Sequence, residues 1–224
     1  MKTFSAIILL SSTRFSSCGT VTKLQPINIL DGVCVISSSS RGIGLEFTKQ
    51  ILEKTNMHVF GLVRSKQPDL NIPPLKLWQQ YPERLHLITG VDLEDQTSIE
   101  NAVKSIEQST ERVDLLVNVS GLLGDGISTP GPERSISMID RDWLTKSMNV
   151  NLIGHVMITK ALMPLLSQRH MKKEVESRPY AKVVNLSARV GSISDNRFSI
   201  ILVKSIVYKI ITNKFYQSRR VVFV

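Results

Sequence analysis

The chain has 224 residues, of which 42% are hydrophobic, so it is long enough to bury a core and fold as one domain. Its net charge of +9 at first suggests a nucleic-acid partner. All 19 acidic residues, however, lie between Asp31 and Asp195, and the excess positive charge belongs to the two ends of the chain. The body between them is neutral, which argues against a surface that binds DNA or RNA.

The chain has only two cysteines, Cys18 and Cys34, and they lie in very different surroundings. Cys34 falls in an apolar run and is expected to be a small buried residue. Two such cysteines predict neither a disulfide framework nor a metal site. No apolar run reaches the length that a membrane span needs.

Residues 1–28 are rich in Ser and Thr, basic and free of acid. This composition is typical of a transit peptide, and it predicts import into a chloroplast or mitochondrion. The short apolar run Ala6–Leu10 leaves a secretory signal as one alternative. A disordered leader on a cytoplasmic protein is the other.

The most informative stretch is Val33–Gly44. Its apolar, β-branched start predicts a buried strand, which is followed by a polar turn. A helix is predicted from Gly42 to Leu52, with Ile43, Phe47, Ile51 and Leu52 along one stripe. A strand, a turn of small residues and a helix N-terminus together form an anion site, because the first backbone N–H groups and the helix dipole both favour negative charge.

Further strands and helices are predicted to alternate along the chain. Strands are expected at 57–63, 84–89, 113–118 and 181–187, and helices at 75–80, 96–109 and 139–169, the last of them kinked at Pro164. The 96–109 helix should bury Ile99, Val103 and Ile106. This alternation predicts an α/β fold with a doubly wound, Rossmann-type parallel sheet flanked by helices.

In such a sheet the ligand lies beyond the carboxyl ends of the strands. The polar and glycine residues of this sequence collect at those ends: 37–44, Arg64, Asp92, 118–121 and 187–192. We therefore expect one edge of the sheet to carry the candidate chemistry.

These motifs resemble those of the short-chain dehydrogenase/reductase family, and most closely its C-factor-like branch of small carbonyl reductases. The resemblance covers about residues 31–197. The family pattern Thr-Gly-x-x-x-Gly-Ile-Gly is similar to residues 37–44, with Ser38 in place of the first glycine. The family's Asn-Asn-Ala-Gly is similar to residues 118–121, and its segment with the catalytic Ser resembles residues 183–192.

The resemblance implies a set of site residues. The cofactor-binding residues would be Ser37, Ser40, Arg41, Gly42, Ile43, Gly44, Arg64, Asp92, Leu93, Asn118 and Gly121. The catalytic residues would be Asn151 and Ser187. Asn151 rather than Asn149 fits the family's Asn-apolar-x-Gly spacing, and Ser192 is the alternative to Ser187. No metal is implied.

The cofactor implied by the resemblance is a nicotinamide dinucleotide. About twenty residues after Gly44, where an acid would accept hydrogen bonds from the ribose of NAD(H), the chain has Arg64. Arg41 stands in the phosphate-binding turn. Two guanidinium groups near a 2′-phosphate favour NADP(H) over NAD(H).

The family's Tyr-x-x-x-Lys pair, which supplies the proton in carbonyl reduction, has no counterpart here. Tyr208 is followed four residues later by Thr212, and Tyr216 by Arg220. Residues 198–224 are predicted to be a divergent basic and apolar tail, and the sheet to be incomplete at its C-terminal edge, without a sixth strand. The expectation is a C-terminally altered chain.

Two functions remain open on the sequence. By its resemblance to the family, the chain would be an NADP(H)-dependent oxidoreductase that acts on a carbonyl/alcohol pair, but it is expected to be inactive because it lacks the Tyr and Lys. Alternatively, it is a non-catalytic dinucleotide-binding remnant or a partner of a full-length relative. A family-type homodimer is in doubt, because the family's usual dimer uses the missing helix.

Overall fold

A computed structural model of the chain describes residues 31–66, 73–124, 136–167 and 181–186. It also describes the backbone of three short strands outside these ranges. Two of them, Thr13–Arg14 and Thr22–Lys23, form a small antiparallel pair. The predicted leader otherwise lies outside the described residues, as do residues 125–135, 168–180 and 187–220.

In the part of the chain that the structure describes, the main sheet has six parallel strands in the order β3-β2-β1-β4-β5-β6. Their bounds are β1 Val33–Ser37, β2 His58–Val63, β3 Leu85–Thr89, β4 Leu115–Asn118, β5 Ala181–Asn185 and β6 Val221–Phe223. The chain starts in the middle of the sheet, moves outward to β3, and then crosses back to β4 beside β1. The strand order thus reverses between β1 and β4, and this crevice is where such folds bind their ligands.

Helices cover both faces of the sheet. Their bounds are α1 Gly42–Lys54, α2 Pro73–Gln80, α3 Gln96–Glu107, α4 Arg141–Met148 and α5 Gly154–Ser167. Side chains from α1 and α2 pack with one face of the strands, around Cys34, Ile36 and Leu115. Those of α3 and α5 pack with the other face, around Val35, Phe60 and Leu116. Successive strand residues therefore alternate between two cores, which explains the unbroken apolar runs in the sequence.

The doubly wound architecture predicted from the sequence is confirmed. The buried stripe Ile99, Val103 and Ile106 of α3 is also confirmed, and Cys34 is fully buried. Burial raises the pKa of the Cys34 thiol, so it remains a protonated, apolar core group.

The predicted stripe of α1 is wrong at Ile43, whose side chain is 58% exposed. The residues that α1 buries are Gly44, Thr48, Ile51 and Leu52. The reason is steric. A Cβ on residue 44 would collide with the backbone oxygen of Ser38 and lie 2.9 Å from Val119 Cγ2, so the glycine must face the turn and the helix is rotated accordingly.

The long helical region contains a π-helical turn that the sequence did not predict, Asn149–Ile153, between α4 and α5, and Pro164 lies within α5. The sheet also has the sixth strand that the sequence did not predict. Backbone pairing places Val221–Phe223 parallel to β5, with Ala181 opposite Val221.

Among the described residues, the helical run Arg141–Ser167 is apolar and long enough to cross a bilayer, with a mean hydropathy of 1.3. Half of its most apolar window is buried inside the fold, as is usual for a core helix.

The turn after β1 contains a residue under conformational strain. Ser38 has φ of 58°, a left-handed conformation that costs a residue with a Cβ about 1 kcal/mol. We predict that Ser38→Gly raises the free energy of unfolding by about 0.5 to 1 kcal/mol, measured by urea denaturation. Ser40→Gly is the matched control, because Ser40 does not have a positive φ and its replacement should only lower stability. Equal effects of the two changes would contradict this account.

Candidate functional site

The turn between β1 and α1 presents backbone N–H groups at the carboxyl end of the sheet. Arg41 is the N-cap of α1 and makes no side-chain capping hydrogen bond. Gly42 follows with φ of 55°, and a Cβ there would meet nothing within 4 Å. Arg41, Gly42 and Ile43 are all exposed, and Ser40 is half-buried. The start of the helix is therefore accessible to an anion that can accept from its first N–H groups.

Two buried serines hold this turn on the sheet. Ser37 Oγ accepts from the Val119 N–H at 3.0 Å, which ties the end of β1 to the end of β4. Both the backbone N–H and the Oγ of Ser39 donate to the Leu62 carbonyl of β2. The Ser37 hydroxyl is thus occupied by contacts within the protein, and the accessible members of the motif are its later residues.

Arg64 and Asp92 stand at the ends of β2 and β3 as predicted, but they differ in exposure. Arg64 is exposed directly after β2, and it forms no ion pair with any described residue. Asp92 is half-buried, and its Oδ1 accepts from the Glu94 N–H at 3.0 Å. Leu93 packs against helix α5 at Gly154, where a Cβ would lie 2.8 Å from the Leu93 Cβ.

Asn118 is fully buried at the end of β4. Its Nδ2 donates to Asn185 Oδ1 at 2.9 Å and lies 3.3 Å from Thr159 Oγ1. Its Oδ1 has no hydrogen-bond partner among the described residues. Asn118 therefore links β4 to β5 and to α5, while the exposed Gly121 follows three residues later.

Asn151 lies in the π-helical turn and is 9% exposed. Its amide makes a pair of hydrogen bonds with one residue: Oδ1 accepts from the Leu122 N–H at 2.6 Å, and Nδ2 donates to the Leu122 carbonyl at 2.8 Å. Nδ2 also lies 3.0 Å from Ser147 Oγ. The side chain thereby fixes the segment after β4 against the long helix. Single π-helical turns are frequently found at functional sites.

His155 was missed by the sequence analysis. It is one helical turn after Asn151, is 1% exposed, and its Nε2 lies 2.6 Å from Ser120 Oγ and 3.0 Å from the Ser120 carbonyl oxygen. Thr159, one turn further on, donates to the His155 carbonyl at 2.6 Å. The signal was present, because polar residues at 151, 155 and 159 recur every four residues on one face of a mostly apolar helical stretch.

Burial lowers the pKa of His155 to about 4, and the backbone hydrogen bond at Ser120 acts in the other direction. The ring is therefore neutral at physiological pH. The other two candidates, Ser187 and Ser192, lie outside the described residues, so the site as described comprises the β1–α1 turn, Arg64, Asp92, the segment 118–122 and Asn151.

The low pKa of His155 predicts an acid sensitivity. The unfolded chain takes up this proton near pH 6.5 and the folded chain only near pH 4, so stability should fall as the pH drops through this window. The loss is about 3 kcal/mol at most. We expect His155→Gln to flatten this part of the curve of unfolding free energy against pH. His86 and the carboxylates are the same in both proteins, so they contribute equally to both curves. An identical slope of unfolding free energy against pH between about pH 4 and 6.5 would therefore contradict the low pKa of His155.

Comparison with known proteins agrees with this geometry. The family model for short chain dehydrogenases matches residues 32–200. The short chain dehydrogenase virK of Hypocrea virens is 31% identical over 173 residues, which are 74% of this chain and 58% of that protein. The human dehydrogenase/reductase SDR family member 7 is 28% identical over 170 residues, or 73% of this chain and 46% of that protein. The chain thus spans about half the length of these relatives.

Solved structures show the same fold. The NADPH-bound carbonyl reductase from chicken fatty liver superposes with a TM-score of 0.65 at 18% identity, covering 85% of this chain and 76% of that one. The carbonyl reductase Sniffer of D. melanogaster gives 0.67 at 22% identity, covering 84% and 76%. With the family model matching most of its length, the chain belongs to the short-chain dehydrogenase/reductase family of oxidoreductases.

Proposed function

We propose that this chain binds a nicotinamide dinucleotide, with NADP(H) preferred, at the carboxyl edge of its sheet. The observation that carries the proposal is the uncapped, accessible start of α1 beside the crevice between β1 and β4. Small residues at 42 and 44 allow a diphosphate to approach the backbone closely, and the helix dipole favours its charge.

The residues fit such a cofactor at more than one point. Arg64 is exposed at the end of β2, forms no ion pair with any described residue, and stands at the place where an acid would select NAD(H). Arg41 is exposed at the start of α1. A guanidinium group donates in a fixed fork that matches phosphate oxygens, so the two support recognition of a 2′-phosphate. One of the structural relatives, the chicken carbonyl reductase, is described with NADPH bound.

The proposed chemistry is limited by the residues available for proton transfer. In this family a bound dinucleotide supplies or accepts hydride, and a tyrosine beside a lysine supplies the proton. The resemblance implies that this pair follows the Ser segment by about 13 to 17 residues, and counted from Ser187 the corresponding residues 200–204 contain no tyrosine. None of the four tyrosines of the chain is followed four residues later by lysine. A positioned acid contributes about 10²- to 10⁴-fold in rate. We therefore propose that the 224-residue chain binds the cofactor without catalysing carbonyl reduction at family-like rates.

A second candidate function, carbonyl reduction by this chain, is favoured by its family membership alone. Steady oxidation of NADPH by the purified chain in the presence of a panel of aldehydes and ketones would establish it. Turnover at family-like rates would contradict the non-catalytic proposal, whereas saturable binding without turnover would support it.

Arg64 provides the sharpest test of cofactor preference. We predict that Arg64→Asp shifts the ratio of NADPH to NADH affinity at least tenfold toward NADH, since a charge-assisted hydrogen bond is worth about 1.5 to 3 kcal/mol and the new carboxylate repels phosphate. Both dissociation constants are measured by calorimetry.

Lys104→Asp is the matched control, because Lys104 is an exposed cation in the last turn of α3 and undergoes the same change of charge. It should leave the affinity ratio unchanged. If the ratio were unchanged in Arg64→Asp as well, Arg64 would have no part in cofactor selection.

A further inference from the structure

The segment Asn118–Leu122, which begins with the last residue of β4, is held by hydrogen bonds from several neighbouring elements. Asn118 bonds to Asn185 of β5, and the Val119 N–H donates to Ser37 of β1. Among the described residues, the two neighbours of the exposed Gly121 are held by the long helix, Ser120 by His155 and Leu122 by Asn151. Gly121 therefore lies between two fixed points on one helix face.

The geometry around His155 determines which ring nitrogen carries the proton. Nε2 lies 3.0 Å from the Ser120 carbonyl oxygen, which can only accept, so a hydrogen bond there requires a proton on Nε2. Nδ1 is buried and has no hydrogen-bond partner among the described residues. A proton on Nδ1 would bury an unpaired N–H and set the lone pair of Nε2 against the carbonyl oxygen.

The same Nε2–H therefore faces two acceptors of one residue. Ser120 Oγ is 2.6 Å away, and the Ser120 carbonyl oxygen is 3.0 Å away. A single buried donor that bonds both the side chain and the backbone of Ser120 restricts the side-chain rotamer and the peptide plane together. That peptide plane joins Ser120 to Gly121.

We propose that His155 is a positioning residue for the dinucleotide site, acting as a neutral Nε2–H imidazole that fixes Ser120 and, through it, the backbone of Gly121. The role rests on the proposed cofactor binding. Asn151, which lies one helical turn before His155, provides the second fixed point, because its side chain bonds both the N–H and the carbonyl of Leu122. A Cβ on Gly121 would lie 3.7 Å from Asn151 Oδ1, so this glycine passes close to the helix between the two contacts.

The test compares His155→Leu, which removes the donor, with His155→Gln, whose amide Nε2 can restore it. We expect His155→Leu to weaken NADPH binding about tenfold and to accelerate amide hydrogen exchange of Leu122 and Val119 about tenfold in the ligand-free chain. His155→Gln should return both values to within about threefold of the original protein. If His155→Leu does not fold, Ser120→Ala provides the same comparison with the loss of a single hydroxyl and an expected effect of about threefold.

Thr110→Val is the matched control. The Thr110 hydroxyl makes two hydrogen bonds to the backbone of Arg112, at the opposite end of the sheet from the site. Its loss should lower the free energy of unfolding without changing NADPH affinity or the local exchange at 119 and 122. A purely structural role for His155 predicts instead that its variants lose stability as Thr110→Val does, with no selective change at the site.

Imidazole ¹⁵N spectra of the ligand-free protein supply an independent readout, with protonated Nε2 and bare Nδ1 expected. A proton on Nδ1, or unchanged exchange and affinity in His155→Leu, would overturn the proposal. If the original protein does not bind NADPH, the proposed function fails. The exchange rates and the ring tautomer then still decide whether His155 fixes the segment.

Discussion

Three polar residues stand in register across the carboxyl end of the sheet, and the geometry of the site depends on this row. Ser37 of β1 is opposite Asn118 of β4, which is opposite Asn185 of β5. The two asparagines bond to each other, and Ser37 bonds to the backbone immediately after Asn118. A slip of one residue in any of these strands would turn its polar side chain to the opposite core, where each lost buried hydrogen bond costs about 1 to 3 kcal/mol.

This row of polar residues explains how the groups of the candidate site come together at one edge of the sheet. It aligns the ends of β1 and β4, so that the turn leading into α1 and the segment leading away from β4 lie side by side. Gly44 allows the start of α1 to lie directly against Val119. A Cβ at residue 44 would lie 2.9 Å from Val119 Cγ2 and would collide with the backbone oxygen of Ser38, so only glycine fits at this position. From the opposite side, Asn151 and His155 fix the same segment to the long helix. The accessible groups at this edge include backbone N–H groups, glycines and two arginines, which are suited to a phosphate-bearing ligand.

The sequence was sufficient to predict the doubly wound architecture and most of the residues that lie at the carboxyl edge of the sheet, because strand runs, helix periodicity and glycine spacing are local signals. It was insufficient where a residue's environment is set by a distant contact. Ile43 fits the apolar stripe of an isolated helix, yet the approach of Gly44 to Ser38 turns it outward. Lys182 has a charged side chain of a type that is rarely fully buried, yet it is 1% exposed, and nothing among the described residues explains its burial. The contact between Ser120 and His155 joins residues 35 apart, and no local pattern predicts such a pair.

The most direct test of the account is to map NADPH on the protein residue by residue. In amide NMR spectra of the full chain, we predict that titration with NADPH shifts the signals of Gly42, Ile43 and Gly44 at the start of α1 and of Gly121 beyond β4, and that these shifts saturate together. Signals at the amino ends of the strands, such as that of Thr110, should not move. Saturating NADPH that leaves residues 42–44 unchanged, or that shifts signals at another surface, would contradict the assignment of this edge as a dinucleotide site.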